Sequence, residues 1–223
     1  MTTYKLSPSR LNLYQDCKTC FWSELNHGEK RPSGPFPSLP SGMDKILKQR
    51  FDTYRERGQL PEELSSLKDV SLYKDEKILK EWRNQRRGLQ WTNPQGHSLT
   101  GSLDEALQTA AGEIVVLDYK TRGFPLKATP DYYTLQMECY TWLLQKNGFK
   151  TADHAFLLFY YPDQFNEQGE VKFHNQLIKV KVETNHAENI FSDALALLEA
   201  EKPRLNKDCN YCLYKTPRRK PKK

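Results

Sequence analysis

Several signals that mark large classes of protein are missing from this sequence of 223 residues. No apolar run approaches the roughly 20 residues of a membrane-spanning helix, and residues 1–6 show no apolar stretch like that of a signal peptide. The Gly-x-x-x-x-Gly-Lys motif of ATP-driven motors is absent, as are serine and cysteine nucleophile motifs. The five histidines have no metal-ligand spacing. We therefore expect a cytoplasmic protein with no membrane partner and no motor activity.

Excess charge is confined to one end of the chain. The sequence has 34 basic and 28 acidic residues, and its net charge is +6. The last nine residues, 215–223, contain six basic residues and no acidic one, so the rest of the chain is formally neutral. We expect these nine residues to form a basic disordered tail, which can contact phosphates without a fixed fold. Residues 1–214 are long enough for a sizeable core and are expected to form a single domain.

The order of helical and strand patterns predicts the class of this domain. A helical N-terminal part, about residues 1–95, precedes a core of about residues 96–200 and a cysteine-bearing segment, residues 201–214. Apolar spacing and capping residues predict helices at 8–16, 43–57, 75–87, 130–147 (with Thr129 as cap) and 187–201. Apolar or alternating runs predict strands at 98–108, 113–120, 155–161 and 172–182. This order indicates an α/β (α+β) domain in which helices flank a mixed central sheet.

Two acidic motifs lie on either side of a turn expected at residues 109–112. The first is Gly101-Ser102-Leu103-Asp104, and the second is Leu117-Asp118-Tyr119-Lys120-Thr121. A hairpin can bring Asp104 and Asp118 together at one end of a sheet, where two carboxylates suit Mg²⁺ or Mn²⁺. Lys120 shares a strand face with Asp118, so it can orient a water molecule or neutralise phosphate charge. A surface Asp–Lys pair at a strand end is the alternative interpretation.

A polar pair follows on the next predicted helix. Gln136 and Tyr140 are four residues apart and therefore share one helix face, among apolar neighbours. Because a buried tyrosine usually needs a hydrogen-bond partner, two interpretations stand side by side. Tyr140 is either a satisfied core residue, or it points with Gln136 at the metal site or at nucleic acid.

Four of the five cysteines form two Cys-x-x-Cys pairs near the ends of the chain: Cys17 with Cys20, and Cys209 with Cys212. Together the pairs can supply four thiolates to one metal centre that joins the termini. Structural disulfides are disfavoured without a secretory signal. A [4Fe–4S] cluster, a zinc ion and no shared metal are the three alternatives. Cys139 stands apart in an apolar helix and is expected to be a core residue.

Taken together, these motifs resemble those of the PD-(D/E)XK nuclease superfamily, and within it the RecB-like branch that includes Cas4-type exonucleases. The resemblance rests on Leu6-Ser7-Pro8-Ser9-Arg10-Leu11 with Tyr14 and Cys17, on Gly101-Ser102-Leu103-Asp104, on Asp118-Tyr119-Lys120-Thr121 and on Gln136-Met137-Glu138-Cys139-Tyr140. It leaves about residues 60–95 unmatched. It implies a restriction-endonuclease-like core and a nuclease-like domain over residues 1–214.

The resemblance also implies roles for individual residues. Asp104 and Asp118 would bind a catalytic Mg²⁺ or Mn²⁺ ion, with Tyr119 contributing its main chain, and Lys120 would be the catalytic lysine. The remaining residues implied in catalysis or in nucleic-acid contact are Gln136, Tyr140 and Arg122.

Two departures from the family pattern stand out. The family commonly has a His or Glu metal ligand on an upstream helix, whereas the helix after Gly42 has no His; Asp44 or Asp52 can take that place, or the ligand is absent. Cas4-like proteins often hold an iron–sulfur cluster on one N-terminal and three C-terminal cysteines. Here the cysteines divide two and two, so Cys20 would replace a missing C-terminal ligand.

Three functions are compatible with these features. The first is a metal-dependent DNA nuclease, an exonuclease acting on single strands or ends, with protein partners in recombination, repair or CRISPR adaptation. The second is a catalytically inactive nucleic-acid-binding module that keeps the fold and the cysteine metal centre. The third is a protein-interaction scaffold organised by the cysteine centre, for which no salt-sensitive DNA binding is expected.

Overall fold

The computed structural model describes residues 2–215, with the side chains of positions 214 and 215 excepted. Their helices are α1 (Pro8–Asp16), α2 (Lys18–His27), α3 (Ser38–Glu56), α4 (Glu76–Trp82), α5 (Asp131–Lys146), α6 (Thr184–Glu199) and α7 (Asn210–Lys215), with one 3₁₀ turn at Glu62–Leu64. The strands are β1 (Lys5–Leu6), β2 (Val70–Leu72), β3 (Leu89–Thr92), β4 (Ser98–Gly101), β5 (Glu105–Thr109), β6 (Ile114–Thr121), β7 (His154–Phe165) and β8 (Val171–Lys181). The residues expected to form the basic tail lie outside the described range after Lys215, so that expectation stays a prediction.

The strands form two mixed sheets, which confirms the predicted α/β class. The larger sheet has the order β2-β5-β6-β7-β8, and only the β6–β7 pair is parallel. The smaller sheet has the order β1-β4-β3, in which β1 and β4 are parallel. Helix α3 packs on one side of β6, whereas α5 packs on the other and also contacts α1 and α6. The large sheet is therefore a layer between helices.

Strand β6 is buried on both faces, as its continuous apolar sequence predicts. Ile114 and Val116 join the core beneath α5, whereas Val115, Leu117 and Tyr119 join a second core beneath α3. Because side chains alternate along a strand, Asp118 continues the face toward α5. The two cores thus determine which way each functional side chain of β6 points.

The single strand expected at residues 98–108 is wrong, because the chain changes sheets within it. Strand β4 ends at Gly101 in the small sheet, and β5 begins at Glu105 in the large one. Between them, the Leu103 N–H donates to the Trp82 carbonyl at 3.0 Å, and Arg83 Nε donates to the Asp104 carbonyl at 2.8 Å. These backbone groups bond to the end of α4 rather than to a neighbouring strand, so Asp104 lies at the crossing between the two sheets.

Smaller differences concern the ends of helices. Ser7 accepts a hydrogen bond from the Arg10 N–H and Pro8 opens α1, as predicted. The expected Thr129 cap is wrong: Pro130 is the N-cap of α5 and makes no side-chain capping bond. Helix α2 was not predicted, because its apolar residues are few and scattered.

No helix within residues 2–215 is both long and apolar enough to cross a membrane.

Candidate active site and cysteine cluster

Asp104 and Asp118 are brought together by the β5–β6 hairpin. In the antiparallel register Glu105 pairs with Leu117, so Asp104, one residue before β5, comes opposite Asp118. Only 2% of the Asp118 side chain is exposed, against 21% for Asp104. Burial raises the pKa of Asp118, the Lys120 ammonium opposes that rise, and the nearby Asp104 carboxyl adds to it, so that the pKa is about 7. Two adjacent carboxylates with this much burial form a site that favours a cation.

Lys120 lies on the same face of β6 as Asp118, as the strand alternation predicts. Its Nζ is 2.5 Å from Asp118 Oδ2 and 5.3 Å from the centre of the Tyr133 ring. The contact with Asp118 is an ion pair and lacks hydrogen-bond geometry. Within residues 2–215, Asp118 Oδ2 is consequently a buried oxygen with no hydrogen-bond partner. The Lys120 ammonium is the cation that balances this buried oxygen, and a carboxylate that depends on a neighbouring cation fits the Mg²⁺ or Mn²⁺ ion that the motifs imply.

Helix α3 adds a lysine that the sequence analysis did not single out. Lys48 Nζ is 2.8 Å from Asp44 Oδ1 and 3.0 Å from Asp104 Oδ1, so one ammonium joins both carboxylates. The spacing of Asp44 and Lys48, four residues apart on a helix, is the sequence signal for the first of these pairs. Asp44 is thereby held next to the acid pair. Of the two candidates for an upstream ligand, Asp44 lies beside the site.

Asp52, the other candidate, belongs to a buried ion-pair network behind the site. It pairs with Arg55 and, at 2.8 Å, with Arg83. Both arginines also contact the fully buried Glu105, and Arg83 does so at 2.9 Å. The Tyr119 hydroxyl donates to Glu105 at 3.1 Å. Because these bonds occupy the Asp52 carboxylate and the Tyr119 side chain, neither points at the acid pair, and a main-chain role of Tyr119 stays a prediction.

Sequence reasoning missed this network, although one signal was present. Glu105 begins an apolar strand, so its side chain was a candidate for burial. A charged side chain is almost never fully buried unless it is paired, so a buried cation could have been expected beside it. Its partners come from α3 and from the residue after α4, which are distant along the chain. Arg83 joins the network to the site because its Nε donates to the Asp104 carbonyl at 2.8 Å.

Gln136 and Tyr140 lie on the face of α5 that looks toward the acid pair. Gln136 Nε2 donates to the Tyr140 hydroxyl at 2.9 Å. Burial raises the pKa of Tyr140, and the charges of Asp118 and Asp104 raise it further, which shows that the three side chains are close. A Cβ on Gly101 would lie 2.6 Å from the Tyr140 ring. Gly101 is therefore the residue that lets Tyr140 pack against the turn leading to Asp104.

A small cavity of about 220 Å³ is bordered by Tyr140 and by Gly101 and Ser102, which lead to Asp104. Its lining includes the polar residues Ser7, Ser9, Arg86, Arg87, Gln136 and Tyr140. The loop that carries the two arginines is anchored, because both of their backbone N–H groups donate to Asn84 Oδ1. Among the described residues, neither guanidinium has an ion-pair or hydrogen-bond partner. The cavity thus presents two exposed cations next to the acidic site.

Arg122, the remaining predicted nucleic-acid contact, follows the end of β6. Its backbone N–H donates to the Tyr160 carbonyl at 2.9 Å. The side chain is half-buried beside Tyr133, where it lowers the pKa of that phenol against the larger effects of burial and of Tyr132. Within the described range its Nε has no hydrogen-bond partner. Lys120 contacts the same Tyr133 ring, so Arg122 lies at the edge of the acidic site.

The four cysteines expected to share a metal centre come together in the structure. Cys17 caps α2 and contacts Cys20 in its first turn, whereas Cys209 precedes α7 and Cys212 lies in it. All four are buried, and their sulfurs lie within 4.8 Å of one another. Cys139 is buried in α5 away from them, as predicted. The cluster therefore has the donor set of a metal site and joins the two ends of the domain.

Comparison with known proteins identifies the family. The family model described as the PD-(D/E)XK nuclease superfamily matches residues 37–216, and the chain therefore belongs to this superfamily. The mixed sheet between helices is the restriction-endonuclease-like architecture expected of it. Among solved structures, the chain is similar to the crystal structure of SSO0001, with 14% identity, a TM-score of 0.42, and coverage of 96% of this chain and 85% of that one. No curated protein gives a significant match.

Proposed function

We propose that this superfamily member is a metal-dependent deoxyribonuclease that removes nucleotides from single strands or from the ends of DNA. The observation that supports the proposal most directly is the buried Asp118 beside Asp104 and Lys120. A buried carboxylate whose pKa is raised to about 7, and whose Oδ2 is balanced by the Lys120 ammonium alone, is suited to bind a divalent cation. Phosphodiester hydrolysis is the reaction that such a cation and a neighbouring lysine serve together.

Asp104 and Asp118 would hold one Mg²⁺ or Mn²⁺ ion, since carboxylate oxygens are the ligands that these hard cations prefer. Bound there, the ion supplies Lewis-acid activation of the phosphate and a more acidic water molecule. Asp44 on α3 lies next to Asp104 through the shared Lys48 ammonium, but within residues 2–215 the three carboxylates are not close enough together to form one metal site as they stand. We infer a role for Lys48 in keeping Asp44 and Asp104 together when the cation is absent.

We infer that Lys120 is the catalytic lysine. Its ammonium sits on the same strand face as Asp118 and keeps contact with that carboxylate. A cation there can hydrogen-bond the attacking water or stabilise the negative charge that develops on the phosphate oxygens. Tyr140, whose hydroxyl accepts from Gln136 and feels the charges of Asp118 and Asp104, can donate a hydrogen bond to the substrate.

The arginine-lined cavity gives the nucleic-acid strand a path away from the acids. Arg86 and Arg87 point into solvent without protein partners in the described residues, and phosphate is the ligand that such paired guanidinium groups favour. We propose that they contact phosphates next to the one that is cleaved.

For single-stranded DNA, replacing both arginines by Gln should reduce the slope of log K against log [salt] by about 1.4. Arg57→Gln, an exposed arginine elsewhere, is the control; an unchanged slope in the double variant would refute this path.

End-labelled single- and double-stranded DNA, incubated with Mn²⁺, Mg²⁺ or EDTA, tests the nuclease proposal. Wild-type protein should shorten the labelled strand only when metal is present, and Lys120→Gln should reduce the cleavage rate by roughly 100-fold or more. Lys80→Gln is the matched control, since Lys80 is exposed and pairs only with Glu76 at 3.3 Å in the described structure. Equal rates for the two lysine variants would show that Lys120 is not catalytic. The same assay with RNA of identical sequence decides the substrate class.

A nucleic-acid-binding module without catalysis is the second candidate. The observation that favours it is Lys48, whose ammonium already neutralises Asp104. This function predicts salt-sensitive DNA binding with no metal-dependent cleavage under any condition. Membership of the RecB-like, Cas4-like branch is supported by the Gln136–Tyr140 pair, and partners in recombination, repair or CRISPR adaptation are proposed on that ground.

A further inference from the structure

The cysteine sulfurs form a tighter group than the family resemblance leads one to expect. Cys17 Sγ is 3.6 Å from Cys212 Sγ, and Cys20 Sγ is 3.7 Å from the sulfurs of both Cys209 and Cys212. All pairs are within 4.8 Å, and none of the four is in a disulfide. Within residues 2–215, no other group of three or more His, Cys, Asp or Glu side chains is arranged to hold a metal ion.

The spacing of the sulfurs limits what they can enclose. Four points no more than 4.8 Å apart lie within about 2.9 Å of a common centre. A zinc–thiolate bond is about 2.3 Å long, and a regular tetrahedron with that bond length has edges of about 3.8 Å. Three of the sulfur pairs, at 3.6 and 3.7 Å, match this edge length. The cluster has room for one ion.

A [4Fe–4S] cluster does not fit this arrangement. Each of its four cysteine ligands binds a different iron, so the sulfurs must surround a core of eight atoms. Sulfurs that nearly touch one another leave no volume for that core. The iron–sulfur cluster that the family resemblance implies therefore disagrees with the geometry of this chain. The sequence departs from the family in the same respect, because its cysteines divide two and two instead of one and three.

We propose that Cys17, Cys20, Cys209 and Cys212 bind a single zinc ion with a structural role. Four buried thiolates leave no open coordination position, which distinguishes a structural zinc site from a catalytic one. The ion would tie α2 to α7 across 195 positions of the chain. Because ligands so far apart in sequence form no site in an unfolded chain, binding of the ion and docking of the two ends are coupled.

Arg31 supplies the charge that such a site requires. Four thiolates around one divalent ion leave an excess of negative charge, and the Arg31 Nη2 donates to Cys209 Sγ at 3.4 Å. The guanidinium is held by Asp16 Oδ2 at 2.5 Å from Nη1 and by the Tyr211 ring at 4.4 Å. Partners of this kind, one step removed from the metal, orient its ligands and are worth about 10- to 100-fold in metal affinity. Arg31 is thus a positioning residue of the site.

Metal analysis of the full chain, purified without oxygen, tests the proposal directly. We expect about one zinc per chain, no acid-labile sulfide and no visible charge-transfer absorbance, with X-ray absorption showing four sulfur neighbours at about 2.3 Å. Four irons with four sulfides would overturn the proposal, and so would a chain that binds no metal. One iron without sulfide would keep the single-ion geometry but overturn the assignment to zinc.

Variants separate the ligand set from general damage to the fold. Cys17→Ser should lose the stoichiometric zinc, whereas Cys139→Ala, which removes a buried cysteine outside the cluster, should keep it. Arg31→Gln should raise the zinc dissociation constant at least about tenfold in a competition with a chromophoric chelator. Arg57→Gln should leave that constant unchanged. An Arg31→Gln protein with wild-type zinc affinity would refute the role of the guanidinium. These measurements use no nucleic acid, so their outcome is independent of the nuclease proposal.

Discussion

The network behind the acid pair allows a quantitative prediction for Glu105→Gln. Glu105 is fully buried and accepts hydrogen bonds from Arg55, Arg83 and the Tyr119 hydroxyl. The amide that replaces the carboxylate has one oxygen instead of two and presents an NH₂ group to a guanidinium. Its volume is unchanged, so no cavity is created. The perturbation therefore removes the charge that two nearly buried cations share.

Removing one partner of a buried ion pair costs roughly 3–5 kcal/mol. Both arginines keep their contacts with Asp52, so we expect the lower end, about 3 kcal/mol. For a chain of this size, 1 kcal/mol shifts the thermal midpoint by about 2–4 °C. Glu105→Gln should therefore lower the midpoint by about 6–12 °C. Glu76→Gln is the control, since Glu76 pairs with Lys80 on the surface and contributes about 0.3–0.5 kcal/mol.

Thermal unfolding of the three proteins, followed by circular dichroism at one scan rate, measures the difference. A second readout is Mn²⁺ affinity by calorimetry, because Arg83 also bonds to the Asp104 carbonyl; the affinity of Glu105→Gln should fall at temperatures where the variant is still folded. A midpoint within 2 °C of wild type would show that the buried network is not stabilising, and the reasoning from burial and charge would be refuted.

Two further predictions concern the acid pair. Burial raises the pKa of Asp118 from 3.8 to about 7, so between those values the metal-free folded state holds a proton that the unfolded state has released. The stability of the metal-free protein should then fall as pH rises through this window, and Mn²⁺ affinity should rise about tenfold per pH unit below 7. Calorimetry that finds no pH dependence of Mn²⁺ affinity would contradict this prediction. Lys120→Gln should raise the pKa of Asp118 and so move the window to higher pH. Gly101→Ala would place a Cβ 2.6 Å from the Tyr140 ring, so it should lower cleavage and cost about 1–3 kcal/mol. Gly42→Ala, whose Cβ meets nothing within 4 Å, should leave cleavage unchanged and stabilise the protein by up to about 1 kcal/mol, because Gly42 lies inside α3. Equal cleavage and stability of the two glycine variants would show that Tyr140 is not held by this contact.

Local signals in the sequence were sufficient for the acid pair and its lysine. Alternation along a strand places Asp118 and Lys120 on one face, and a short hairpin brings Asp104 opposite Asp118. These relations involve residues that are near one another in the chain, where backbone geometry leaves few alternatives. For the same reason, Ser7 and Pro8 predicted the start of α1 correctly.

Relations between distant segments could not be predicted in this way. The chain leaves the small sheet after Gly101 because Leu103 and Asp104 bond to the end of α4, whose position depends on the whole core. Lys48 joins Asp104 only because α3 packs against β6. The residue pattern of one helix or strand does not predict how far it will lie from another element that packs against it.

The cysteines show most clearly what the sequence determined and what the packing of distant segments decided. Four thiolates in two Cys-x-x-Cys pairs established by sequence alone that one metal centre can join the two ends of the chain, since thiolates at that spacing are metal ligands. Which metal is accommodated depends on the distances between sulfurs. Those distances are set by the docking of α2 against α7, and the proposal of a single zinc ion is based on them.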